Sequence, residues 1–109
     1  MGLGEIKQEQ LIKLTSKQLG KKIGKHATDF GLDPSKEEDR ETFAQITKAI
    51  LNEPDQIARG SWRGQKGVCR FFIKGNDVVV INENLSYVTT LKDGVLNNPR
   101  IRGALGLDT

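Results

Sequence analysis

Apolar side chains in the first third of the chain recur with the spacing of a helix. The segment Thr15-Ser16-Lys17-Gln18 can form a capping box, in which the Thr15 hydroxyl and the Gln18 amide each satisfy a free backbone N–H at a helix start. Gly31 is well placed to end such a helix. The pattern predicts a helix over residues 16–30 whose buried stripe consists of Leu19, Ile23, Ala27 and Phe30.

A second helical pattern follows the pair Asp33-Pro34. Proline suits the first turn of a helix, and Ser35 with Glu38 makes another capping box. The acidic residues nearby then have a structural role, because carboxylates favour the positive end of a helix dipole. Asn52-Glu53-Pro54 ends the helix, and its expected core positions are Phe43, Ile46 and Ile50, with Ala49 beside them.

Beyond Pro54 the pattern changes to that of strands. Residues 68–74 and 78–81 are rich in strand-forming side chains and are separated by Gly75-Asn76, a pair suited to a tight hairpin turn. Further strands are expected at 56–63 and 86–92. The sequence predicts an α+β fold, in which N-terminal helices pack on one face of a roughly four-stranded antiparallel sheet and leave the other face free for a ligand. We expect one domain over residues 1–109, with an ordered core at 11–96 and a loose tail at 97–109.

Composition agrees with one compact domain and narrows its chemistry. Hydrophobic residues make up 36% and charged residues 28% of the chain, as in ordinary globular domains. No stretch approaches the roughly 20 apolar residues that span a bilayer, so we expect no membrane contact by this domain. With one cysteine, Cys69, and one histidine, His26, neither an internal disulfide nor a zinc cluster can form. We therefore expect no metal or other cofactor.

The distribution of charge along the chain is more informative about a binding partner than the net charge of +3. Residues 13–26 contain five lysines and no acidic residue. Such a local positive field suits a polyanion such as RNA. The alternative is a solvated helix face with no ligand.

His26 is the side chain best suited to move a proton near neutral pH. RNA can be cut without metal when a base takes the proton of a ribose 2′-OH, which then attacks the adjacent phosphate while cations hold the developing charge. The alternative is that His26 merely packs between helices. Trp62, Arg63 and Tyr87 offer surfaces for bases and phosphate, although a core position for Trp62 is an equal possibility. A thiol hydrolase built on Cys69 has no supporting motif.

The segment Lys25-His26-Ala27-Thr28-Asp29-Phe30-Gly31, and later Gly60-Ser61-Trp62-Arg63 with a valine-rich hairpin, resembles the catalytic domain of colicin D. That family belongs to the barnase/EndoU/colicin/RelE-like group, whose domains also form the toxic C-termini of contact-dependent growth inhibition proteins. The resemblance covers residues 19–94. It implies an antibacterial toxin domain of a larger secreted or cell-surface protein that acts in the target-cell cytoplasm. It further implies cleavage of tRNA in or near the anticodon loop, leaving a 2′,3′-cyclic phosphate and a 5′-OH, and an acidic inhibitory immunity protein as partner.

The resemblance also implies roles for individual residues. His26 matches the catalytic histidine, and Lys25 and Lys22 would hold phosphate. On the last strand the family carries a hydroxyl residue, Gly, Trp and Lys, where this chain has Thr89-Thr90-Leu91-Lys92, so the tryptophan is lost and the choice of tRNA is open. The expected catalytic residues are His26, Lys25, Thr89 and Lys92, and the expected RNA-binding residues are Lys17, Lys21, Lys22, Trp62 and Arg63. Two other functions stay open: a non-catalytic RNA-binding module, and a protein-interaction domain with an acidic partner.

Overall fold

A computed structural model describes residues 26–107 of the chain. His26 directly precedes a 3-10 helix formed by Ala27–Phe30. Gly31 ends this helix with φ 74°, in the left-handed region, and its N–H donates to the carbonyl of Thr28 at 3.0 Å. The helix end is therefore where the sequence predicts it, but the last turn is a 3-10 turn, a common tightening at helix termini. Residues 16–25 of the predicted helix, with their capping box, lie outside the described residues.

The long helix α1 spans Glu37–Asn52 and begins with three acidic residues in its first turn, as its dipole favours. The predicted Ser35–Glu38 capping box does not form. The Ser35 hydroxyl instead donates to Asp33 Oδ1 at 2.6 Å. This hydrogen bond lowers the pKa of the Asp33 carboxyl from its ordinary value. Lys36 then occupies the cap position without a side-chain cap. The local turn around Asp33 outcompetes the helix for the serine hydroxyl.

The buried side of α1 is slightly rotated from the predicted stripe. Phe43 and Ile50 are buried as expected and Ile46 is half-buried. Ala49, however, is exposed, and Thr47 and Leu51 are buried instead. The apolar pattern identified the helix correctly but could not reveal that a threonine has a polar partner in the core.

Four antiparallel strands follow, and their order in the sheet is the same as their order in the sequence. They are β1 (Gln56–Gly60), β2 (Cys69–Lys74), β3 (Asp77–Ile81) and β4 (Tyr87–Leu91). Gly75 and Asn76 connect β2 to β3 in the predicted two-residue turn, in which Lys74 pairs with Asp77 and Gly75 has φ 62°. The α+β fold with a four-stranded antiparallel sheet is thus confirmed.

Helices cover both faces of the sheet, so the expectation of a free face is wrong. On one face α1 packs over a core formed by Ile50, Leu51, Phe72, Val79, Ile81 and Tyr87. On the other, two short helices, α2 (Gly94–Asn97) and α3 (Pro99–Ala104), close over a core formed by Cys69, Phe71, Ile73, Val78, Val80, Val88 and Ile101.

Residues 97–107 are therefore structured rather than loose. The Asn98 side chain accepts hydrogen bonds from the backbone N–H of Arg100 and Ile101, and Pro99 occupies the first turn of α3. Ile101 is completely buried. This capped turn, which the sequence prediction of a loose tail did not take into account, explains the difference.

Candidate functional site

His26 lies at the entrance to the 3-10 helix, where its neighbour Ala27 is fully buried and fixes the backbone. The imidazole is mostly covered, with 15% of the side chain exposed. Its Nδ1 lies 3.5 Å from Oδ2 of Asp29, which is itself largely exposed. A carboxylate beside one ring nitrogen is an arrangement that orients an imidazole. This imidazole–carboxylate pair has the parts of a proton-transfer group with an orienting partner.

Lys92 lies on the same side of the sheet, next to the 3-10 helix. Its Nζ is 5.6 Å from the centre of the Phe30 ring, a cation–π distance. Phe30 in turn packs edge-to-face on Phe43 of α1, with ring centroids 5.8 Å apart. The Phe30 ring therefore packs the 3-10 helix against α1 and also holds the ammonium group of Lys92 beside that helix. We call the residues His26, Asp29, Phe30 and Lys92 the histidine surface.

The structure does not bring Thr89 to the histidine surface. Thr89 pairs with Val80, and Thr90 pairs with Val79, so the two threonines face opposite sides of the sheet as the alternation of a strand predicts. Val80 belongs to the core under α2 and α3. Thr89 is only 3% exposed, and among the described residues its Oγ1 has no hydrogen-bond partner. The expected catalytic role of Thr89 is therefore not supported.

Thr90 forms the centre of a buried hydroxyl network. Its Oγ1 lies 2.7 Å from Thr47 Oγ1 of α1 and 2.7 Å from the hydroxyl of Tyr87. Burial raises the pKa of Tyr87 to about 12, against the opposing effect of its hydrogen bonds. Tyr87 is 4% exposed and so cannot provide the RNA-stacking surface considered from the sequence. The network ties the helix to the last strand.

Trp62 and Arg63 contribute to a second surface, on the far side of the sheet. Trp62 packs edge-to-face on Phe71, with ring centroids 5.9 Å apart, so the core position considered from the sequence holds in part. It also borders a groove of about 490 Å³. We call this the tryptophan groove; it is lined by Trp62, Arg63, Gln65, Val88, Asn98, Pro99 and Arg100.

Apart from the buried Thr89, the sequence-predicted residues fall into three groups. His26 and Lys92 flank the 3-10 helix, whereas Trp62 and Arg63 lie on the other side of the sheet. Lys25 and the remaining lysines of the predicted set, Lys17, Lys21 and Lys22, lie outside the described residues. Arg100 was missed, although Asn98-Pro99 carries the signal of a capped helix start that would have placed it in an ordered helix.

Other chemistry has less support. Residues 26–107 contain no group of three or more His, Cys, Asp or Glu side chains that could hold a metal ion. Cys69 is fully buried on β2, and burial, with the charge of Glu83, raises the pKa of its thiol, so the nucleophilic thiolate is disfavoured. Within the same residues, no helix is long and apolar enough to cross a membrane.

No protein-family model matches the chain, and no curated protein is significantly similar to it.

Proposed function

We propose that the chain is a metal-independent endoribonuclease whose proton-transfer residue is His26. The observation that carries the proposal is the contact between His26 and Asp29 at 3.5 Å, on a surface that also holds the cation of Lys92. The lysine-rich segment at residues 13–26 adds positive charge immediately before His26 along the chain. Together these residues supply a base and the cations that phosphate cleavage requires.

The proposed reaction is an internal transfer within the RNA. The imidazole of His26 takes the proton of a ribose 2′-OH, and the 2′ oxygen forms a bond to the adjacent phosphorus. The bond from phosphorus to the 5′ oxygen of the next nucleotide breaks, and that oxygen receives a proton from an acid or from water. The products are a 2′,3′-cyclic phosphate and a 5′-OH. Lys92 and Lys25 stabilise the charge that develops on the phosphate oxygens.

Asp29 acts as a positioning residue in this proposal, because it contacts the imidazole rather than the substrate. The Asp29→Asn variant should lower kcat more than it changes KM. An unchanged kcat would remove Asp29 from the mechanism.

The biological setting rests on the sequence resemblance. The motif at residues 25–31 is similar to that of colicin D, which favours tRNA as the substrate and an antibacterial toxin as the parent protein. A free ribonuclease of this kind would kill its producer. We therefore propose an acidic immunity protein that covers the lysine-rich segment and imitates RNA phosphate. A cognate neighbour that is basic, or that binds without blocking cleavage, would refute this.

The decisive experiment incubates the full chain with total tRNA in excess EDTA. Discrete fragments with cyclic phosphate and 5′-OH ends are expected, and the His26→Ala protein should give none under the same conditions. Binding without cleavage would refute the proposal and favour the non-catalytic RNA-binding module. Neither binding nor cleavage would favour a protein-interaction domain, and activity restored only by magnesium, with the tRNA still folded, would show that the metal-independent mechanism is wrong.

A further inference from the structure

The tryptophan groove has the charge of an anion site. Arg63 and Arg100 border it, and no carboxylate is among the described residues that line it. Both arginines are exposed. The Arg63 side chain makes no hydrogen bond or ion pair with the described residues, whereas Arg100 Nη1 donates to Ser61 Oγ at 3.2 Å. That bond uses one of the five N–H donors of the guanidinium and holds α3 beside the loop that follows β1.

The groove also offers a rigid aromatic ring. Trp62 is half-buried, and its edge-to-face contact with Phe71 fixes the plane of the indole. A ring held in this way loses little conformational entropy when a flat ligand stacks on it. Every nucleobase has such a flat π-face, so stacking of this kind tolerates any base.

Gln65 adds a polar side chain to the lining of the tryptophan groove. Gln65 Oε1 accepts a hydrogen bond from Asn82 Nδ2 at 3.1 Å, which anchors the side chain to the loop between β3 and β4. With its carbonyl engaged, the Gln65 amide has N–H groups to offer a ligand. The volume of about 490 Å³ is of the size that holds a single small ligand in proteins.

We propose that the tryptophan groove binds one nucleotide unit of single-stranded RNA, with its base against Trp62 and its phosphate held by Arg63 and Arg100. The proposal rests on RNA as the substrate and adds a binding site separate from the histidine surface. The two sites lie on opposite sides of the sheet, and β4 is an edge strand. Val88 borders the groove and Lys92 the histidine surface, and four residues of strand span about 13 Å. Because Val88 belongs to β4 and Lys92 directly follows it, we expect an RNA that reaches both sites to pass around this edge, several nucleotides from the bond that is cut.

The test measures binding separately from cleavage. Trp62 is the only tryptophan of the chain, so its fluorescence reports on the groove alone. The probes are nucleoside 5′-monophosphates, which contain no bond for a ribonuclease to cut, inorganic phosphate, and a hexanucleotide of 2′-deoxyribose, which cannot be cleaved through a 2′-OH. We expect saturable quenching by the nucleotides, competition without quenching by phosphate, and tighter binding of the hexanucleotide than of any mononucleotide.

Variants assign the binding to the groove. Arg63→Gln and Arg100→Gln should each weaken nucleotide binding about 10- to 100-fold, the effect of losing a charge-assisted hydrogen bond. Arg59→Gln is the matched control, because Arg59 is exposed and pairs with Arg70, which pairs with Ile81 in the core under α1. It removes the same charge on the other side of the sheet. Thermal melts of all three variants establish that they fold.

Two results would overturn the proposal. One is the absence of saturable quenching, together with no nucleotide-induced shift of the Trp62 indole N–H resonance. The other is equal weakening by Arg59→Gln, which would mean that the whole charge of the protein attracts the ligand. Equal affinity for a mononucleotide and the hexanucleotide would replace RNA by a free nucleotide as the ligand and so refute the RNA path. His26→Ala should bind like the wild type, so a protein that binds but never cuts would contradict the proposed function alone.

Discussion

The core under α1 contains several buried hydroxyl groups among its apolar side chains, whereas the core under α2 and α3 contains a single buried polar side chain among the described residues. On the α1 side, Thr47, Tyr87 and Thr90 form a connected network across helix and strand. On the other side the buried polar group, Thr89, has an oxygen without a partner among the described residues. Hydrogen bonds have a preferred direction and apolar contacts do not, so the two sides differ in how strictly they fix their neighbours.

This difference bears on the two candidate sites. The hydroxyl network joins α1 to β4, and α1 carries the 3-10 helix through the Phe30–Phe43 contact. The position of Lys92 relative to His26 therefore depends on a directional connection. The tryptophan groove instead depends on the packing of two short helices over the sheet. A site that transfers protons needs the stricter positioning, while a site that stacks a base tolerates variation.

The strongest test of this comparison is the His26→Ala variant. Removing the proton-transfer group should reduce tRNA cleavage about 100- to 10,000-fold. Nucleotide binding in the tryptophan groove should be unchanged. Cleavage is measured under single-turnover conditions with excess protein.

A control is needed because the His26 side chain is only 15% exposed and contributes to packing. His26→Gln keeps most of the volume and polarity while removing the ability to exchange protons at neutral pH. Both variants should retain the far-ultraviolet spectrum of the wild type. A folded variant that cuts within a factor of about ten of the wild-type rate would contradict the catalytic role.

The second prediction concerns the apolar side, where Ile101 of α3 is completely buried. Ile101→Ala should lower the free energy of unfolding by about 2–5 kcal/mol, since it removes buried surface and leaves a cavity. Leu96→Ala is the control, because Leu96 of α2 is 55% exposed and its loss should change stability by less than about 0.5 kcal/mol. Denaturant melts measure both. A small effect of Ile101→Ala would mean that the C-terminal helices add little to the stability of the fold.

The third prediction uses the buried phenol on the α1 side. The pKa of Tyr87 is about 12 in the folded protein against a reference value of 10.0. Above about pH 10 the unfolded chain loses this proton while the folded chain keeps it, so stability is complete below pH 10 and falls as the pH rises towards 12. The shift corresponds to about 2–3 kcal/mol.

This loss is measured by denaturant melts across the alkaline range. Lysines titrate there too, so the informative quantity is the difference between the wild type and Tyr87→Phe, which should lack this part of the pH dependence. Tyr87 is the only tyrosine of the chain, so tyrosinate absorbance follows it directly. Ionisation in the folded protein near pH 10 would show that the hydroxyl is open to solvent.

Most of the fold was predictable because short local residue patterns determine its helix and its strands. Two runs of strand-forming residues separated by Gly75-Asn76 predict the hairpin, and Phe43 with Ile50 predicts the buried side of α1. The short C-terminal helices were missed because a six-residue helix has little periodicity, and its stability comes from the contact of Ile101 with a distant core. Burial of Thr47 depends likewise on a hydroxyl partner 43 positions away.

The candidate sites were predictable only in part. His26 and Lys92 could be proposed from chemistry and resemblance, and the structure places both beside the 3-10 helix. Thr89 was placed wrongly because the family pattern marks a hydroxyl but does not define which side of the sheet it faces. The register of the β3–β4 pairing shifts between Val80 and Ile81. Such a bulge interrupts the alternation of sides along β4, so a sequence pattern alone does not give the side to which Thr89 points.

The smallest expected effects come from a matched pair of threonines. Thr47→Val removes a hydroxyl that is hydrogen-bonded to Thr90, so it leaves a partner short of one bond and should cost about 1–3 kcal/mol. Thr89→Val removes a buried hydroxyl that has no partner among the described residues, and should be neutral or stabilising by up to about 1 kcal/mol.

Because the two substitutions are chemically identical and both side chains are nearly inaccessible, at 0% and 3% exposure, differences in the unfolded chain largely cancel between them. Stability is compared by denaturant melts, and cleavage of tRNA is measured on the same samples. Thr89→Val should cut at the wild-type rate, since its side chain faces away from the histidine surface. A stable Thr89→Val protein with a large loss of cleavage would return this hydroxyl to the active site. Equal destabilisation by both substitutions would mean that the Thr89 hydroxyl has a partner, and that the two sides of the sheet do not differ as described.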